Sequence, residues 1–136
     1  MSQIRLILIL AFCLSHHSYY VQAGEKFLSI IDDIPLAEGL VEKPKTIMIF
    51  DSSDGIISEI RAEGVARVSS IMKFYANSLP QLGWEAKLTR AIWRPEGKAF
   101  KSLWERGLER LLIEVKAVDG SAEVGFVLTT FNKENR

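Results

Sequence analysis

Four aspartates offer the first candidate chemistry. Asp32-Asp33, Asp51 and Asp54 carry carboxylate oxygens of the kind that bind a hard cation such as calcium. The run Asp51-Ser52-Ser53-Asp54-Gly55 lacks the alternate-position ligands and closing glutamate of a calcium loop. It reads instead as a solvated turn, and no metal is expected. Glu59 and Glu63 are the nearest carboxylate pair for acid–base work, but a strand would hold both on an outward face with no cleft in the pattern. No GxGxxG or GxxxxGK phosphate loop occurs, and no cofactor is expected.

Cysteine and histidine chemistry depends on the first residues. Met1 to Arg5 carries one positive charge, Leu6 to Leu14 is an apolar run, and Val21-Gln22-Ala23 is a small-x-small cleavage signal. This three-part pattern predicts a secretory signal peptide over 1–23 and a periplasmic or secreted chain. The apolar run is shorter than the ~20 residues a spanning helix needs, so no transmembrane helix is expected. Cys13, His16 and His17 all lie inside that leader. Cleavage leaves a domain without either residue type, which excludes disulfides, thiolate catalysis, Cys/His zinc sites and Ser-His-Asp triads. Cys13 is a poor lipidation site because Phe12 stands where a small residue is wanted.

The remaining candidate is a basic and aromatic stretch. Arg90, Trp93, Arg94, Lys98, Phe100, Lys101, Trp104 and Arg106 interleave positive charge with rings. Such a surface can contact anionic lipid, glycan or an acidic protein in the cell envelope; nucleic acid is not an expected partner of an exported chain. Charge is asymmetric along the chain. Residues 32–63 hold eight acids against three bases, and 85–110 hold seven bases against four acids. Either the two segments face different partners, or they neighbour each other in one sheet.

The elements that must position these residues follow from periodicity. Val68, Ile71, Met72, Tyr75 and Leu79 mark one face of a helix, which Pro80 and Gly83 stop before Trp84. These residues are read as structural. Arg67 stands at the N-cap and is a poor cap, so the helix must rely on tertiary contact. Residues 46–50 and 56–63 alternate around a turn and predict a hairpin. Strands follow over 84–94, 99–105 and 109–118, with turns at Pro95-Glu96-Gly97 and Arg106–Leu108. Helical spacing of Phe100, Leu103, Trp104 and Leu108 competes over 99–108, with Gly107 against it. Asp119-Gly120 is a two-residue turn that pairs Val118 with Ser121, Val115 with Val124, Ile113 with Phe126, Leu111 with Leu128 and Lys116 with Glu123.

Grouped strands around one helix predict an α+β fold, an antiparallel sheet of five to six strands with the helix on one face. Residues 24–45 are expected to be an extended lead-in containing a loop, 46–131 the domain, and 132–136 a polar tail. Composition, 48% hydrophobic and 25% charged, is that of a globular domain.

Two stretches resemble a family. Ile34-Pro35-Leu36-Ala37-Glu38-Gly39-Leu40 and Phe74 to Trp84 resemble the "IPLxxGL … FYxxxLPQLGW" pattern of small, uncharacterised, signal-peptide-bearing proteins of alphaproteobacteria. Phe50-Asp51, Gly55-Ile56-Ile57 and Arg110 to Val115 fit the same pattern, while 89–102 looks lengthened. The resemblance implies the fold and the compartment, and no activity. Three functions remain open: a non-catalytic binding module using the uncovered sheet face and the basic-aromatic stretch, a small-ligand or lipid carrier with a cavity between helix and sheet, and a carboxylate-dependent hydrolase or isomerase.

Overall fold

The computed structural model describes residues 26–94 and 97–133, with backbone alone at 90–94 and 97–98. The predicted leader over 1–23, residues 24–25, Pro95-Glu96 and the end of the tail therefore lie outside the described residues.

The chain is α+β. Strands β1 (Phe27–Leu28) and β2 (Ile31–Pro35) form a small two-stranded sheet. The main sheet is antiparallel and has seven strands: β3 (Leu40–Glu42), β4 (Met48–Ser52), β5 (Gly55–Gly64), β6 (Glu85–Arg94), β7 (Gly97–Arg106), β8 (Glu109–Val118) and β9 (Ser121–Phe131). Helix α1 (Val68–Gln81) stands between β5 and β6. The order is β3-β5-β9-β8-β7-β6, with β4 on the same edge of β5 as β3.

The five-to-six-strand expectation falls short by β3, which Gly39 and Pro44 disguise as loop. Between β3 and β4 the edge stays tied to β5 through a 3-10 turn at Pro44–Thr46. Lys43 N–H donates to the Arg61 carbonyl (2.7 Å), and Arg61 N–H donates to Thr46 Oγ1 (3.0 Å). The ambiguity at 99–108 resolves as strand and turn, and Gly107, at φ 57°, makes the turn. The closing hairpin has the register that its alternation demands at all five pairs.

Helix α1 carries the chain across one sheet face, from β5 to the far edge, and the β6–β9 meander returns to pair with β5. Ile71, Tyr75 and Leu79 are buried, each worth about 1.5–3 kcal/mol. The helix closes in a Schellman motif: Trp84 N–H donates to the Leu79 carbonyl (3.1 Å), Gly83 N–H to the Pro80 carbonyl (3.1 Å), and Gly83 takes φ 83°. The stretch over 24–45 is more than a lead-in. Leu28, Ile31, Ile34, Ala37 and Leu40 belong to the same core as Ile60, Leu111, Val124 and Phe126. The Tyr75 hydroxyl fastens it, donating to the Pro35 carbonyl (3.1 Å) and accepting from Ala37 N–H (3.3 Å).

Candidate ligand groove and the open sheet face

The two-residue period of a strand sends neighbours to opposite faces. It therefore splits the basic-aromatic stretch. Phe100, Ser102 and Trp104 lie toward α1, whereas Lys101 lies on the open face. Trp104 is buried and donates from Nε1 to Ser102 Oγ (3.0 Å), so it is core rather than surface. The side chains of Arg90, Trp93, Arg94 and Lys98 lie outside the described residues; the register sets Arg90 against Lys101 and Trp93 against Lys98.

Arg106 is occupied by structure. Its guanidinium stacks over the Trp84 ring at 4.3 Å, bonds Glu109 Oε2 at 2.7 Å and the Leu82 carbonyl at 3.2 Å, and pairs with Asp33. Partial burial opposes its charge, and the two carboxylates outweigh that and raise its pKa. One side chain thus joins the N-terminal segment, the helix end and the β7–β8 turn.

The open face is a lattice of ion pairs. Arg61 contacts Glu59 (3.3 Å) and Glu123 (3.2 Å), Lys116 contacts Glu123 (2.9 Å), and Lys101 contacts Glu114 (2.9 Å). The acidic segment (β3–β5) and the basic segment (β6–β7) do not neighbour each other, since β9 and β8 stand between them and supply the partners Glu123 and Glu114. A concavity of about 330 Å³ lies among these residues over Gly125. Its carboxylates are poor general acids. Partial burial would raise the Glu123 pKa, but Lys116 and Arg61 hold it below the usual range. Glu63 is held by Lys43 at 2.7 Å. Among the described residues no cluster of three His, Cys, Asp or Glu could hold a metal.

The other flank of α1 is different. A groove of about 680 Å³ opens between the helix and β6–β8. Met72, Tyr75, Ala76 and Pro80 form its helix wall, and Trp84, Phe100, Trp104, Ile113 and Val115 its sheet wall. Polar groups are few: Lys73, Glu85 and Thr89 are exposed, and Ser102 lies on the sheet wall between Phe100 and Trp104, its hydroxyl taken by the Trp104 indole. Glu85 is paired with Lys87 (2.9 Å), which lowers its pKa. Lys73 is exposed and has no acid partner among the described residues. Trp84 is buried, and its indole N–H finds no acceptor among the described residues. Leaving such a donor unmatched costs about 1–3 kcal/mol.

Comparison with family models, with curated proteins and with solved structures finds no match for the chain. Function must be argued from the groove and the faces themselves. Sequence reasoning took Tyr75 and Trp84 as structural and allowed for an apolar cavity beneath Ile71 and Tyr75, but did not name Trp84 as one of its walls. The signal was the flank Met72, Lys73, Ala76 and Pro80, which runs beside the buried stripe at helical spacing.

Proposed function

We propose that this chain is an exported, non-catalytic domain that carries a small amphiphile, with the apolar body in the groove between α1 and β6–β8 and an anionic head at Lys73. The groove carries the reading: its volume suits a small ligand, its walls are mainly aliphatic and aromatic, and its polar side chains are few. Among the described residues Lys73 is the cation of the groove lining without an acid partner, and Glu85 in the same lining is already neutralised by Lys87. A ligand acceptor that reached Trp84 Nε1 would also satisfy the orphaned indole. Export rests on the leader pattern and on the likeness of Ile34–Leu40 and Phe74–Trp84 to small exported proteins. The acid–base alternative gains no support, since each carboxylate on the open-face concavity is ion-paired.

The test uses three probes of equal chain length, decanoate, decanol and decyltrimethylammonium, titrated calorimetrically into the purified chain. Decanoate should bind best, Ala76→Phe should weaken all three by filling the groove, and Lys73→Met should abolish the preference for decanoate. Equal binding of the three would remove the anionic head from the reading. Absence of binding by any would remove the groove. Fractionation of cells expressing a C-terminally tagged chain tests export, and retention in the cytoplasm counts against it.

A further inference from the structure

Gly125 sits in the middle of β9, and nothing in the fold asks for a glycine there. The register around it is unbroken on both sides, pairing it with Arg61 of β5 and Glu114 of β8, so it makes no bulge. Its φ is not positive, and a Cβ built on it meets no atom of the described residues within 4 Å. Neither a turn nor a close backbone approach therefore requires it. A glycine inside a strand weakens it relative to a β-branched residue, and the remaining reason to hold one is room for a ligand. The two-residue period places its neighbours on the open face. Arg61 and Glu114 flank the gap across the strands, Glu123 and Val127 lie above and below it, and Glu59, Lys116 and Leu112 stand at the corners. Lys101 closes the β7 side of the concavity, whose volume of about 330 Å³ is in the range of small-molecule sites.

The lining sets the chemistry of the occupant. Its charges balance, Arg61, Lys101 and Lys116 against Glu59, Glu114 and Glu123, so a ligand with a net charge meets repulsion as well as attraction. The charges are also sorted. On the β5–β9 side, Glu59 and Glu123 take their cations on Oε1, and Oε2 of each has no ion-pair partner among the described residues. On the β7–β8 side, the Lys101 and Lys116 ammonium groups each meet one carboxylate and carry three protons. A ligand can thus add an ammonium at one side and a carboxylate at the other without breaking a native pair. These four side chains are only 19–28% exposed, so water screens them in part. Val127 and Leu112 make an apolar end to the floor. We infer that the concavity binds a free aliphatic α-amino acid, its ammonium on Glu59 and Glu123, its carboxylate on Lys101 and Lys116, and its side chain over Val127 and Leu112.

Calorimetric titration of the purified chain compares L-leucine with 4-methylpentanoate and isoamylamine, which lack its ammonium and its carboxylate in turn. Leucine should bind with a Kd of about 1 mM, and each single-charge probe about tenfold more weakly. Gly125→Val should melt no lower than the parent and lose leucine, because the new side chain fills the hollow without pressing on the fold. Lys101→Gln should weaken leucine about tenfold and leave isoamylamine unchanged. Ala76→Phe, which fills the groove on the other side of the sheet, should leave leucine binding intact. A chain that binds no leucine up to about 50 mM, or that binds the three probes equally, overturns the inference. So does a Gly125→Val chain that still binds leucine, or one that melts lower, since the glycine then serves the fold. Loss of leucine in Ala76→Phe also overturns it, by placing the amino acid in the groove. The groove's own reading rests on decanoate, so the two fail separately.

Discussion

Tyr75 shows how one atom can hold a fold together. Its ring packs edge-on against Phe126 (5.6 Å) and Phe74 (5.0 Å), and its hydroxyl serves one donor and one acceptor of the N-terminal segment. Tyr75→Phe keeps the ring and strands a buried N–H and a buried C=O. The expected cost is about 1–3 kcal/mol by urea unfolding, with faster amide exchange concentrated in β2 and the following loop. The same burial pushes the phenol well above the usual tyrosine range. A raised folded pKa means that the stabilisation is complete below the unfolded value and fades as pH climbs above it. Alkaline unfolding should therefore set in above about pH 10, and the Phe variant should lack that component. Sequence could name Tyr75 as core from its spacing. It could not supply Pro35 and Ala37 as its partners, since forty residues separate them and no local pattern links them.

Among the elements, α1 and the last hairpin were the most legible, for opposite reasons. The helix has one unbroken apolar stripe and a closing Leu-Gly-Trp that can only end it. The hairpin has alternation on both arms, and Asp119 and Gly120 both take positive φ at its turn, as a tight two-residue connection requires. The short β3 was not legible: three residues pair only because Gly64 lets the Gly39–Leu40 backbone approach. The groove was legible only as an open possibility between helix and sheet, because its extent and lining belong to a space between elements rather than to one of them. The helix start was readable as weak, and the structure agrees. Arg67 has extended backbone at the N-cap, its side chain makes no capping bond, and no acid stands in the first turn. Arg67→Asp should stabilise the chain by about 1 kcal/mol, through a cap to the free N–H groups and a favourable charge at the helix N-terminus. A rise in melting temperature without a change in decanoate binding would fit. No gain would mean that Arg67 has a compensating role.

The whole molecule divides its chemistry between two faces. Toward α1 the sheet is apolar, and the helix with segment 28–40 covers it except along the groove. Away from α1, Glu59, Glu114 and Glu123 alternate with Arg61, Lys101 and Lys116, so the balanced net charge of the chain is also a local balance across strands. Beside these ions the register aligns Val127, Leu112, Leu103 and Leu88 in one row across β9 to β6. The long stems of Lys101 and Lys116 can shelter part of this apolar surface. Charge thus keeps a one-layer sheet in water on its uncovered side, and the arrangement predicts an acid response. Glu123 binds its proton less readily when folded than when unfolded. Its contribution is therefore complete above the ordinary carboxylate range and is lost as pH falls through the lowered value. Glu123→Gln should cost about 1 kcal/mol or less near neutral pH, because the pairs are partly solvated. It should lose less than the parent between about pH 7 and pH 3.5, with urea midpoints compared at fixed protein concentration. Parallel pH profiles for the two chains would mean that the Arg61–Glu123–Lys116 cluster orders the open face without stabilising it. Convergence of the two at acid pH would locate the acid sensitivity of the whole sheet in that single carboxylate and its two cations.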